Sequence, residues 1–125
     1  MHKILIIDDE EQIRKMLRAF LEGEDFHIFD ARNGNEGIKI FKDEMPEIII
    51  TDIIMPDKEG LETIMEISRM RKVNTKIIAM SGGGYVHAAS YLDLALKLGA
   101  DYVLEKPFER AALLDTIKLA LDRKK

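Results

Sequence analysis

Ile4-Leu5-Ile6-Ile7-Asp8-Asp9 sets the pattern of the chain: four apolar residues in an unbroken row, then two carboxylates. A strand with one face in water alternates apolar and polar residues. A strand covered by helices on both faces is apolar throughout, so this run predicts a central strand of a parallel sheet. Four runs of the same kind follow: Phe26-His27-Ile28-Phe29, Ile48-Ile49-Ile50, Ile77-Ile78-Ala79-Met80 and Tyr102-Val103-Leu104. Helical spacing fills the intervals. Ile13, Met16, Leu17, Phe20 and Leu21 recur at i, i+3, i+4, i+7 and i+8, and Leu61, Ile64, Met65 and Ser68 repeat the pattern after Gly60. Ile38, Phe41 and Met45 give a weaker version, and Leu113, Ile117, Ala120 and Leu121 close the chain. The order is (βα) five times over. Right-handed crossovers turn that order into a doubly wound α/β three-layer sandwich, whose ligands bind at the carboxyl ends of the strands.

Composition narrows the function classes. With 125 residues and 46% hydrophobic content the chain suits one domain over residues 1–125, with no output domain expected. Nineteen Lys and Arg against 23 Asp and Glu leave a net charge of −4 and no basic block, which argues against direct nucleic-acid binding. The absence of cysteine rules out disulfides, thiolate metal sites and thiol nucleophiles. The first apolar run is too short for a signal peptide and no segment reaches membrane-spanning length, so a cytoplasmic protein without membrane association is expected. The terminal Arg123-Lys124-Lys125 reads either as a helix end or as the edge of a longer protein.

The strand ends carry Asp8 and Asp9, then Asp52, then Ser81, then Lys106. Three carboxylates in one crevice repel one another unless a cation sits among them. Magnesium suits such a set, because it takes oxygen ligands at roughly 2.0–2.1 Å and keeps positions open for phosphate oxygens. A carboxylate can also act as a nucleophile toward phosphorus when the charge spreading over the phosphoryl oxygens is balanced. Magnesium and Lys106 would balance it, and the Ser81 hydroxyl could hydrogen-bond a phosphoryl oxygen. Taken singly, Asp8-Asp9 would be an acidic helix start, Asp52 a turn residue, Lys106 solvated surface and Ser81 a loop hydroxyl. Their joint position at predicted strand ends favours a site. His2, His27 and His87 are scattered and carry no catalytic expectation.

The sequence resembles the receiver domains of two-component response regulators. Ile4-Leu5-Ile6-Ile7-Asp8-Asp9-Glu10, Asp52 through Gly60 with Met55-Pro56 inside it, Met80-Ser81-Gly82, Gly99-Ala100-Asp101 and Lys106-Pro107-Phe108 occur in that family's order and spacing. The resemblance spans the whole chain. It implies a flavodoxin-like sheet of order 2-1-3-4-5, phosphorylation on Asp52, and contacts from Ser81 and Lys106 to the phosphoryl group. It further implies magnesium held by Asp9, by Asp8 directly or through water, by Asp52 and by the backbone carbonyl of Ile54, and a cis peptide between Lys106 and Pro107. The implied partners are a sensor histidine kinase or phosphotransfer protein upstream, and a target protein or second receiver docking on helix 4, strand 5 and helix 5. The chain would be a signalling phosphoacceptor that catalyses its own phosphorylation, not an enzyme with a metabolic product.

Rival functions on this fold fit less well. A flavin carrier would need a phosphate cradle where Asp8-Asp9-Glu10-Glu11 would repel phosphate, and an aspartyl phosphatase or mutase would need its acid pair after the first strand at a different spacing. A degenerate receiver acting as a constitutive interaction module is disfavoured by the presence of Asp52, Ser81 and Lys106 together.

Three positions depart from the family pattern. Val103 stands where many receivers carry a Tyr or Phe that changes rotamer, and Tyr102 should point to the opposite side of the strand by period 2. The switch is therefore expected in Ser81 and the Gly82-Gly83-Gly84 loop, which three glycines leave free to rearrange. In helix 4, Ala88, Leu92, Ala95 and Leu96 read as the core face, while Tyr91, Leu94 and Leu98 form a second apolar stripe suited to a partner. Ile54 and Gly83, two residues after Asp52 and Ser81, offer no side chain that could orient an attacking water. The acyl phosphate on the purified protein is accordingly expected to decay over minutes or longer when followed by intact mass; loss within seconds would contradict this reading.

Overall fold

The computed structural model describes residues 2–53, 60–72, 74–82 and 88–122, the side chains of residues 88–92 excepted. Strands and helices alternate as β1 His2–Ile7, α1 Glu11–Leu21, β2 Phe26–Ala31, α2 Gly34–Glu44, β3 Ile48–Asp52, α3 Gly60–Met70, β4 Lys76–Ser81, α4 Ala88–Leu98, β5 Tyr102–Glu105 and α5 Arg110–Asp122. The strands form one parallel sheet in the order β2-β1-β3-β4-β5. This is the doubly wound order that the sequence implied. Each run of apolar residues lies within one strand, and the structure extends all five runs by one or two residues.

Continuous hydrophobicity has a direct structural cause. On one face of the sheet Ile4, Ile6, Ile48, Ile50, Ile78 and Met80 pack with Leu17 and Leu21 of α1 and with Leu113, Ile117 and Ala120 of α5. On the other face Leu5, Ile7, Ile49, Ile77 and Ala79 pack with Phe41 of α2, Ile64 and Ile67 of α3 and Ala95 of α4. Successive side chains point to opposite faces, so helices on both sides favour apolar residues at consecutive positions of a central strand, up to the polar carboxyl end. All five residues of β3 are buried. The edge strand β2 is less covered, and its His27 is exposed.

Local signals set the helix limits. The Asn33 side chain caps α2 by accepting from the Glu36 N–H at 2.8 Å. Gly99 follows α4 at φ 131°, and a Cβ there would fall on the Ser68 hydroxyl of α3, so the turn into β5 requires glycine on two counts.

Four helix positions differ from their sequence reading. Met45 is not a core position of α2: it caps the helix in the left-handed region at φ 48° and is 41% exposed. In α3 the buried residues include Thr63 and Ile67 beside Ile64, while Met65 is only half-buried. In α4 Leu96, expected in the core, is 43% exposed. Leu98, expected on the outer stripe, packs half-buried against the core that holds Ala95. Leu94 is 42% exposed, as an outward position should be. The described exposed leucines of α4 therefore flank the buried Ala95 on either side.

Among the described residues Phe41 is the largest fully buried side chain, and it belongs to the layer beneath α2 and α3. Phe41→Ala is expected to lower folding stability by about 3–5 kcal/mol in urea unfolding; a loss under about 1 kcal/mol would mean that the layer closes without it.

Candidate functional site

The carboxyl edge of the sheet gathers one polar residue from each of several strands. Asp8 follows the last residue of β1, and its N–H still donates to the Ala31 carbonyl of β2 at 3.1 Å. Its Oδ1 accepts from the Glu10 N–H at 2.9 Å, the turn that short acidic side chains favour. The Asp8 carbonyl accepts from Arg14 Nη1 at 2.7 Å. Asp52 ends β3 and is buried, and the following Ile53 N–H donates to the Met80 carbonyl at 3.0 Å. Asp8, Asp9 and Asp52 each offer a carboxylate oxygen within 4.8 Å of the others.

Lys106 projects into this cluster from the loop after β5. Its Nζ lies 3.1 Å from Asp8 Oδ2 and 3.5 Å from Asp52 Oδ2, with the lysine side chain 14% exposed. The Lys106 N–H donates to the Ser81 carbonyl at 2.7 Å, which joins the ends of β4 and β5, and the Lys106–Pro107 peptide is cis. Burial pulls the ammonium toward its neutral form, but the Asp52 and Asp8 carboxylates outweigh burial and raise its pKa above the ordinary lysine value.

Ser81 ends β4 fully buried, and its hydroxyl has no hydrogen-bond partner among the described residues. An unpaired buried hydroxyl costs about 1–3 kcal/mol, so a site that keeps one is suited to a ligand oxygen. The donor set fits a hard divalent ion: it consists of carboxylates, with no cysteine in the chain and no histidine in the cluster.

Asp8, Asp9, Asp52, Ser81 and Lys106, the five side chains singled out from sequence, all lie at this edge. Ile54 and Gly83 lie outside the described residues, as does the side chain of Tyr91. Val103 packs half-buried on the α2, α3 and α4 side while Tyr102 packs on the α1 and α5 side, the opposite orientations that strand period requires. Sequence reasoning missed the parts played by Arg14 and Gly60. A Cβ on Gly60 would fall 1.9 Å from the Asp52 carbonyl oxygen and 2.4 Å from the Ile53 Cα, so α3 begins against the backbone that presents Asp52. The signal available was a glycine at a helix start, which ordinarily indicates only a turn.

Residues 4–118 match the sequence model of the response regulator receiver domain. The chain belongs to that family. Among curated relatives, this receiver is 34% identical over 116 residues to the chemotaxis protein CheY of Halobacterium salinarum, covering 92% of each chain. It is 32% identical over 125 residues to the transcriptional regulatory protein CpxR of Klebsiella pneumoniae, covering 98% of this chain and 50% of that one. The receiver thus spans half the length of CpxR. Among solved structures it superposes on a response regulator receiver domain from Clostridium thermocellum with a TM-score of 0.89 at 31% identity, covering 99% of this chain and 97% of that one. A CheY-like receiver from Methanospirillum hungatei gives a TM-score of 0.88 at 29% identity, covering 99% and 96%. Among the described residues of the receiver no helix is long and apolar enough to cross a membrane.

The Lys106 contact has a pH signature. A raised folded-state pKa contributes stability that is fully present below the ordinary value of 10.5 and is lost as pH rises through the folded value. The advantage of the native receiver over Lys106→Met in urea unfolding is expected to hold at neutral pH and to shrink in strongly alkaline solution. An advantage that stays constant across that range would contradict the ion pairing.

Proposed function

We propose that this receiver takes a phosphoryl group from the phosphohistidine of a sensor kinase or phosphotransfer protein onto Asp52, and that the modification switches its protein contacts. The observation that carries the reading is that a half-buried lysine and two further carboxylates surround Asp52, while the next strand ends in a buried hydroxyl with no partner among the described residues. An Asp52 carboxylate oxygen forms the new bond to phosphorus as the bond between phosphorus and the histidine nitrogen breaks, and the released imidazole takes up a proton from solvent. Lys106 faces the charge on the phosphoryl oxygens, and the Ser81 hydroxyl donates a hydrogen bond to one of them. A magnesium ion held by Asp8, Asp9, Asp52 and the Ile54 carbonyl would supply further positive charge opposite the same oxygens.

Phosphorylation replaces the single negative charge of the Asp52 carboxylate with the roughly −1.5 to −2 of a phosphoryl group at the edge of the sheet. Lys106 and Ser81 would both change partners on that event. Lys106 would turn from Asp8 toward the phosphoryl group, and Ser81 would draw the loop that follows β4. The outcome would be read on α4, β5 and α5, where Leu94 and Leu96 stand exposed and could meet a target protein or a second receiver. Residues 1–125 would act as one receiver domain in the cytoplasm, binding proteins and not nucleic acid.

Incubation with acetyl phosphate and magnesium is expected to add one phosphoryl group by intact mass, with no gain in Asp52→Ala or without magnesium. A folded native receiver that gains no phosphoryl group from any small donor would contradict the reading and favour a constitutive interaction module.

A further inference from the structure

The Asp9 carboxylate is the least constrained of the three that cluster at the sheet edge. Asp8 is held by the Glu10 N–H and by Lys106, and Asp52 faces Lys106. Asp9 is exposed, and its side chain makes no hydrogen bond among the described residues. Its placement therefore depends on its backbone. The peptide unit between Asp8 and Asp9 is planar, so the Asp8 carbonyl oxygen, the Asp9 nitrogen and the Asp9 Cα share one plane. Arg14 Nη1 donates to that oxygen at 2.7 Å and holds the plane from α1.

We propose that Arg14 is a positioning residue for the divalent-cation site, acting through the Asp8–Asp9 peptide to aim the Asp9 carboxylate. The inference rests on the reading of Asp8, Asp9 and Asp52 as that site. Arg14 makes no ion pair with any of the three carboxylates among the described residues. By charge alone, a guanidinium near a cation site repels the cation and weakens binding. By positioning, it strengthens binding, because supporting hydrogen bonds orient metal ligands. The two effects have opposite signs, so removal of Arg14 separates them.

The test is calorimetric titration of the full chain with magnesium chloride, comparing native protein, Arg14→Met and Arg14→Lys. Methionine keeps an unbranched stem and removes both donor and charge; lysine keeps a charge and a donor. Arg14→Met is expected to bind magnesium about tenfold more weakly, and Arg14→Lys to recover most of the loss. Urea unfolding without magnesium checks that each variant is folded, and Arg14→Gln replaces Arg14→Met if the latter is not. Equal or tighter magnesium binding by the folded neutral variant would overturn the proposal. A native chain that binds no magnesium would instead overturn the cation-site reading itself, and this inference with it.

Discussion

The ammonium of Lys106, 3.1 Å from Asp8 and 3.5 Å from Asp52, is the contact on which the polar edge of this receiver depends. Asp8 is fully buried at the end of a sheet whose central strands are apolar on both faces. A carboxylate in that setting is costly unless a cation faces it, and removing the partner of a buried charge is far more destabilising than losing a surface pair. Lys106 is the partner, and its own burial is compensated by having two carboxylates in reach. The loop after β5 is thereby tied to the ends of β1 and β3, and the Lys106 N–H ties it to β4 through the Ser81 carbonyl. Four strand ends are thus joined through one lysine, two by its ammonium and one by its backbone N–H.

That balance is deliberately incomplete in charge. Asp8, Asp9 and Asp52 face one lysine, which leaves the cluster two negative charges in excess when all are ionised. A divalent cation would neutralise that excess, and a phosphoryl group on Asp52, which replaces one carboxylate charge with roughly two, would bring back about half of it. The same few side chains can therefore accommodate ion and modification in turn. The backbone around them is fixed more tightly: Gly60 brings the start of α3 against the Asp52 carbonyl, Thr51 donates its hydroxyl to the same carbonyl at 3.0 Å, and Arg14 holds that of Asp8. Rigid backbone beneath adjustable charge is what a switch at a sheet edge requires.

Much of this was legible in the sequence because it follows from local pattern. Unbroken runs such as Ile48-Ile49-Ile50 identify strands covered on both faces, and the residues just past them had to lie at the carboxyl edge. The opposed orientations of Tyr102 and Val103 follow from the same period. The phase of α4 was not legible, because Ala88 through Leu98 is apolar on most sides and no polar stripe decides which leucine turns inward. Leu96 and Leu98 were exchanged for that reason. Met45 continued the periodicity of α2, but the helix ends before it, in a left-handed cap that apolar spacing does not encode. Arg14 and Gly60 escaped notice because their roles lie in contacts with Asp8 and Asp52, which are close in space through the fold and carry no sequence signature of their own.

The Asp8, Asp9 and Asp52 edge, balanced by Lys106, has the makings of one cation site. Residue-resolved amide spectra during addition of substoichiometric manganese test it most directly, since a paramagnetic ion broadens only nearby signals. Broadening is expected to concentrate at Asp8, Asp9, Asp52, Ile53, Ser81 and Lys106 and to be reversed by excess magnesium. Broadening spread over exposed acids such as Glu22, Glu24 and Asp43, with the strand ends unaffected, would rule such a site out.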